Sequence, residues 1–215
     1  PDDMPERAGL CILGVDLGGS RSMSAAALYW PETGRLEAVG AFPCKPGLAD
    51  RGAADGVSDR YEQMHQRGEL TTMGDTTVPV SRWLAEVMAL ADGQGISCIC
   101  GDRFRHAEFV EAMRAAGLDR VPFIERGFGW KDGAEDIERF RRALFEGKVK
   151  TVPSLLLRSA FADAITLVDP AGNHKLAKAR SLGRIDAAAA AVVAVAEGVR
   201  MTAKPAARAP RIAWA

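Results

Sequence analysis

A chain of 215 residues, 47% of them hydrophobic, is long enough to bury one good-sized core and is read as one domain. The 28 basic residues balance the 28 acidic ones, so no global field marks a nucleic-acid binder, and any contact with a polyanion has to be local. No run reaches the ~18 apolar residues of a membrane span and no leader pattern precedes the first strand, which predicts a soluble, cytoplasmic protein without a membrane partner.

Residues 1–9 run almost at once into an apolar stretch, as a linker from a longer polypeptide would; 10–200 are assigned to the domain and 201–215 to a flexible tail. Residues 10–15 read as a buried strand that ends at Asp16-Leu17-Gly18-Gly19, the punctuation of a tight turn. Strands at 23–30 and 35–42, separated by Pro31-Glu32-Thr33-Gly34, complete an antiparallel meander. From 43 to 79 the chain is rich in Gly, Asp and Arg and reads as an elaborated connection with a short helix at 61–67.

The pattern then alternates. A helix at 80–90 leads to a strand at 96–100, a helix at 104–116, a short strand at 121–124 and a helix at 134–145. Asp169-Pro170-Ala171-Gly172-Asn173 separates two short strands at 166–168 and 175–179, a hairpin, and an Ala/Val-rich run at 187–199 predicts a buried last helix. The expected fold class is α/β, a mixed sheet of a three-strand meander followed by parallel strands, with helices on both faces. Ribonuclease-H-like and actin-like folds both begin this way, so the order of elements alone does not choose a function.

Three carboxylates stand at element ends: Asp16 after the first strand, Asp102 after the strand at 96–100, and Asp186 before the last helix. Each has a purely structural role available to it, a helix N-cap for Asp102 and Asp186 and an Asx turn for Asp16. As a set they say more, because a central first strand and a parallel neighbour would bring Asp16 and Asp102 to one sheet edge, faced by Asp186. Three carboxylates in one cleft repel unless cations share it, and hard oxygen ligands favour Mg²⁺ or Mn²⁺ over zinc. Two such ions would serve phosphodiester hydrolysis without an activated Ser or Cys. His65, His106 and His174 are scattered and make no Ser-His-Asp order, and Cys11, Cys44, Cys98 and Cys100 have no C-x-x-C spacing.

Two rival readings compete. Gly14-Val15-Asp16-Leu17-Gly18-Gly19 resembles the first phosphate loop of actin-like kinases, but no second Asp-x-Gly loop follows, Gly127-x-Gly129 is a weak distractor, and no G-x-x-x-x-G-K-[ST] is present. The other is a non-catalytic DNA-binding or assembly module on the same fold.

Between Gly172 and Ile185 lie Lys175, Lys178, Arg180 and Arg184 with no carboxylate among them, leading directly to Asp186. This stretch is the expected DNA-binding track, although a solvated surface hairpin would have the same composition.

Several segments together resemble the nuclease domain of tailed-phage terminase large subunits. They are Gly14-Val15-Asp16-Leu17, the Tyr61-led segment that ends Gly68-Glu69-Leu70, Asp102 followed by a helix and Gly117, and the run from Gly172-Asn173-His174-Lys175-Leu176 to Arg184-Ile185-Asp186-Ala187. The resemblance covers most of 12–195 and departs at Arg103, where an aromatic is usual, and at Ala187, where Gly is. It implies a ribonuclease-H-like fold and an endonuclease that cuts concatemeric DNA with two Mg²⁺ or Mn²⁺ ions held by Asp16, Asp102 and Asp186. It also implies an upstream packaging ATPase domain reached through 1–9, double-stranded DNA as substrate, portal and small terminase subunit as partners, and the cytoplasm of a bacterial host as the place of action.

Overall fold

Alternation of apolar side chains decides how the sheet is covered, because successive residues of a strand point to opposite faces. The computed structural model describes residues 4–203 apart from 92, 94, 128 and 182, so the expected tail beyond 203 lies outside the described residues. Three strands, β1 (Cys11–Asp16), β2 (Ser24–Trp30) and β3 (Arg35–Phe42), form the antiparallel meander. Gly34 makes the turn between β2 and β3 at φ +78°, a left-handed conformation that glycine adopts without penalty.

The remaining strands are parallel additions on both sides. β4 (Leu70–Thr72) pairs with β3, β5 (Ile96–Asp102) with β1, and β6 (Phe123–Arg126) with β5, which gives the order β4-β3-β2-β1-β5-β6. A two-residue strand, β7 (Lys150–Thr151), joins the start of β3. The hairpin β8 (Thr166–Val168) and β9 (His174–Leu176) stands apart from this sheet.

One face packs Ile12, Ala27, Tyr29, Leu36, Cys98 and Cys100 against α5 (Trp130–Phe145), α6 (Leu155–Asp163) and α7 (Asp186–Thr202). The opposite face packs Leu13, Val15, Leu28, Trp30 and Ile99 against α3 (Val80–Ala89) and α4 (His106–Ala115). The mixed sheet between two helical layers is the expected architecture. Two short helices, α1 (Leu48–Ala54) and α2 (Arg60–Gln66), occupy the connection after β3.

Helix α7 lies across β1 and β2 and beside α5, and its first turns are a run of fully buried alanines from Ala187 to Ala191. Small side chains let its backbone approach the sheet closely. A Cβ added at Gly14 would stand 2.1 Å from the carbonyl oxygen of Ala190, so that crossing admits no side chain on β1. The contact fixes where Asp186, the first residue of α7, meets the end of β1.

Two helices were not expected. α1 is short, contains Gly52, and is held from outside itself: the Arg51 guanidinium donates to the carbonyls of Pro46 and Lys45, both at 2.9 Å, and lies over the Phe42 ring. Tertiary contacts rather than propensity make such a helix. α6 carries a readable signal, since Ser154 caps it by accepting from Leu157 N–H at 3.1 Å, but Leu155, Leu156 and Leu157 in succession show no helical spacing. Residues 5–7, read as linker, lie against the sheet, with Arg7 donating to Glu37 at 2.9 and 2.8 Å and Arg35 to the Pro5 carbonyl at 2.7 Å.

Candidate active site

Parallel pairing sets two of the three carboxylates at one edge. The β1–β5 register pairs Gly14 with Cys100, and two residues further along each strand stand Asp16 and Asp102, the last residues of β1 and β5. Asp16 shares its side of β1 with Gly14 and so belongs to the α7 face. There it meets Asp186, and both are almost fully buried, at 4% and 7% exposure.

The like charges are bridged by a lysine. Lys178 Nζ donates to Asp16 Oδ2 and, at 3.3 Å, to Asp186 Oδ1. Burial is the largest influence on Asp16 and raises its pKa to about 7; the Lys178 ammonium pulls the other way and the Asp186 carboxylate adds to the rise. Burial disfavours the Lys178 charge, yet Asp16 and Asp186 outweigh it and hold the ammonium above its ordinary pKa. The bridge is therefore a charged group inside a carboxylate pair, with 39% of the lysine side chain still exposed.

Lys178 reaches this place through the hairpin. Lys175 of β9 sits over the Trp130 ring, 4.4 Å from its centre, which docks the hairpin on α5, and a 3₁₀ turn at Lys178–Arg180 follows directly. A cavity of about 220 Å³, lined by Ser22, Lys178, Gly183, Arg184, Ile185 and Asp186, opens beside the pair.

The loops around it are tied down by arginines. Arg184 donates Nε and Nη2 to the two oxygens of Asp55, each at 2.7 Å, and Tyr61 donates its hydroxyl to the same carboxylate at 2.8 Å. Arg105 donates to the carbonyls of Leu17 and Gly18 at 3.0 and 2.7 Å, while Arg51 reaches those of Ser20 and Arg21 at 3.3 and 3.4 Å, so the loop after Asp16 is held from two sides.

The alternative structural roles for the carboxylates are corrected by this geometry. The N-cap of α7 is Ile185, so Asp186 is the first residue of that helix rather than its cap, whereas Asp102 stands directly before the 3₁₀ turn Arg103–Arg105 that leads into α4. The Gly18 N–H donates to Ser24 Oγ at 3.1 Å rather than to Asp16. Asp16 and Asp186 are brought together; Asp102 is partly buried at the neighbouring strand end, and among the described residues no group of three His, Cys, Asp or Glu side chains is gathered closely enough to hold one ion.

The expected basic track is redistributed as well. Lys178 turns into the carboxylate pair, Arg184 onto Asp55 and Lys175 onto Trp130, whereas Arg180 is exposed. Asp55 and Tyr61 were not singled out as site residues, because nothing in their local spacing points to Arg184, which lies 129 positions from Asp55.

The donor set fits a hard divalent cation: the two buried groups offer only carboxylate oxygens and already recruit an internal cation. Comparison with known proteins agrees in fold. The chain is 27% identical to the terminase large subunit of Enterobacteria phage HK97 over 135 residues, 63% of this chain and 27% of that protein. The crystal structure of the HK97 large terminase superposes with a TM-score of 0.81 at 24% identity, over 91% of this chain and 41% of that one. The large terminase nuclease of thermophilic phage G20c with bound magnesium superposes at 0.58 and 13% identity, over 91% of this chain and 85% of its own. The chain thus spans about a quarter of the curated relative, and the fold is that of the ribonuclease-H-like terminase nucleases. Residues 3–201 match the family described as terminase large subunit, endonuclease domain, and to that family this chain belongs.

Proposed function

We propose that the chain is a divalent-metal-dependent endodeoxyribonuclease that cuts concatemeric DNA for a packaging machine in a bacterial host, with Asp16, Asp102 and Asp186 as its metal ligands. The observation that carries this reading is the buried Asp16–Asp186 pair at the end of the central strand, whose two carboxylates share a single ammonium. Buried carboxylates facing each other without a structural cap are costly, and a site retains them where a cation is to be held.

In this reading Asp16 stands between the other two ligands, Asp186 from α7 and Asp102 from the end of β5. Two Mg²⁺ or Mn²⁺ ions, when bound, supply a water nucleophile at neutral pH and stabilise the leaving oxygen of the phosphodiester. The protein's own contribution is rigidity. Arg105 and Arg51 fix the loop after Asp16, the Arg184–Asp55–Tyr61 cluster fixes the approach to Asp186, and Lys175 and Arg180 offer charge for backbone phosphates. Residues 1–9 would then lead from an upstream ATPase domain, with portal and small terminase subunit as assembly partners. Family membership disfavours the kinase reading.

The test is nicking of supercoiled plasmid in Mn²⁺, Mg²⁺ or chelator by the chain and by Asp16→Asn. Metal-dependent nicking lost in the variant supports the assignment; a soluble, folded protein that binds DNA but never nicks it would favour the assembly-module alternative.

A further inference from the structure

Lys178 stands where a cation is needed. Its Nζ donates to both Asp16 and Asp186, carboxylates that are 4% and 7% exposed, so the ammonium takes the place between them that an ion shared by the pair would occupy. An ammonium and a divalent ion at one carboxylate pair repel, so each weakens the other's hold there.

The surroundings give the lysine a way out. It belongs to a 3₁₀ turn between the hairpin and α7, and 39% of its side chain is exposed although its tip is engaged. The adjacent cavity of about 220 Å³ includes Lys178 itself in its lining, together with Ser22 and Asp186. At roughly 30 Å³ per water, that space takes several waters, enough for a hydrated ion to arrive or a displaced ammonium to be received. The lysine's four-carbon stem lets its charge relocate without backbone movement.

We propose that Lys178 is a displaceable internal counter-ion that stabilises the metal-free site and that divalent cations enter by expelling it, so that this side chain sets the metal affinity of the site. The inference rests on the reading of Asp16 and Asp186 as metal ligands. It gives the site a threshold: at low divalent concentration the carboxylates are satisfied by the protein itself, and the nuclease stays off. The expelled ammonium lies beside the carboxylate pair, where a DNA phosphate drawn to the loaded site would be its nearest partner.

The experiment is calorimetric titration of Mn²⁺, without DNA, into the wild-type chain, Lys178→Met and Asp16→Asn. An opposite charge at this range moves a carboxylate equilibrium by about one to three pK units, so removing the competing charge should tighten Mn²⁺ binding by at least about tenfold. Lys178→Met should also melt at a lower temperature than wild type without metal, and Mn²⁺ should restore it. Equal or weaker Mn²⁺ binding by Lys178→Met, with binding lost in Asp16→Asn, would overturn the counter-ion role while leaving the ligand assignment standing. Binding unchanged in Asp16→Asn would instead overturn the ligand assignment, and the proposal with it. Because Lys178→Met leaves two buried carboxylates uncompensated and could unfold, a second measurement uses the wild-type chain. The amine of Lys178, mapped by mass spectrometry after brief acetylation, should react several-fold faster with Mn²⁺ present, and an unchanged rate would count against displacement.

Discussion

Arg184 closes a two-bonded ion pair on Asp55, with both bonds at 2.7 Å, only two residues before Asp186. The pair ties the segment that enters α7 to the end of α1, and Tyr61 of α2 completes it through its hydroxyl. Burial, followed by the hydrogen bond to Asp55, pushes the Tyr61 pKa well above its ordinary value, so the phenol stays a donor throughout the working range. Asp55 is thus a positioning residue for Asp186, acting through Arg184. Replacing it, Asp55→Ala, is expected to cost about 1.5–3 kcal/mol of stability, the range for hydrogen bonds to charged groups. It should also weaken Mn²⁺ binding several-fold, read by calorimetry, whereas an effect on stability alone would leave Asp55 purely structural.

The contact of α7 with β1 is the second determinant of where Asp186 sits. A methyl at Gly14 would meet the Ala190 carbonyl at 2.1 Å, backbone against side chain with no flexible neighbour to yield. Gly14→Ala is expected to lose about 3 kcal/mol, the upper end of ordinary overpacking, which lowers the melting temperature of a domain this size by roughly 6–12 °C. Circular dichroism melts would check this, and a melting temperature unchanged to within a degree or two would show that α7 shifts freely on the sheet.

How much of this was legible in the chain depends on the range of the interaction. The meander, the parallel strands β5 and β6 and the last helix follow from periodicity and turn residues, which are local, and β3 keeps its expected bounds, whereas β4 and β7 were not expected because strands of three and two residues are too short to show a period. The convergence of Asp16 and Asp186 follows from topology once α7 is placed over β1. The role of Lys178 does not, because composition shows a basic stretch but not which of its side chains turns inward. Asp55 and Arg51 were invisible for the same reason: their partners are distant in sequence or are backbone carbonyls, which carry no sequence signature. α5 begins at Trp130, ahead of the expected 134, because Gly129 supplies an extended N-cap that reads in sequence only as a loop residue.

The raised pKa of Asp16 has a sign that can be tested without metal. Its folded value, about 7, lies above its ordinary 3.8, so the folded protein binds a proton more tightly than the unfolded chain between those values. The group's contribution is therefore fully present at low pH and is lost as pH rises through about 7. Asp16→Asn removes this loss. At pH 8 without divalent ions the variant is expected to be level with or more stable than wild type, by about 1 kcal/mol or 2–4 °C. The difference should shrink on acidification to pH 5, where Asp16 is protonated. A variant less stable than wild type at pH 8 would mean that the Lys178 ion pair outweighs the burial of Asp16.

Asp102 separates the contributions of the strand edge from those of the buried pair. It ends β5 beside Asp16 but is not gathered with Asp16 and Asp186 into one three-ligand group among the described residues. If metal loading draws it in, Asp102→Asn should leave the fold intact and lower Mn²⁺-dependent nicking by at least about a hundredfold, with Mn²⁺ binding weakened but not abolished. Nicking at the wild-type rate would remove Asp102 from the ligand set and leave Asp16 and Asp186 as the protein's whole contribution.

The last prediction concerns how a chain with equal numbers of acidic and basic residues holds a polyanion. Of the four cations between Gly172 and Ile185, Lys178 is engaged with Asp16 and Asp186, and Arg184 with Asp55. Arg180 is exposed in the 3₁₀ turn, and Lys175 rests on an aromatic face, a contact an ammonium gives up readily where it is exposed. Phosphate contacts from these two would position DNA without reading its sequence. Lys175→Ala with Arg180→Ala should therefore weaken binding to unrelated duplexes by the same factor. It should also flatten the plot of log affinity against log salt by up to about 0.9 per lost contact, or about 1.8 for both. Mn²⁺ binding should be untouched, because neither side chain reaches the carboxylate pair. The measurement is fluorescence anisotropy on two labelled duplexes over a range of salt in the presence of Ca²⁺. An unchanged slope would move the DNA track to another face, and a loss confined to one duplex would mean that the hairpin reads bases.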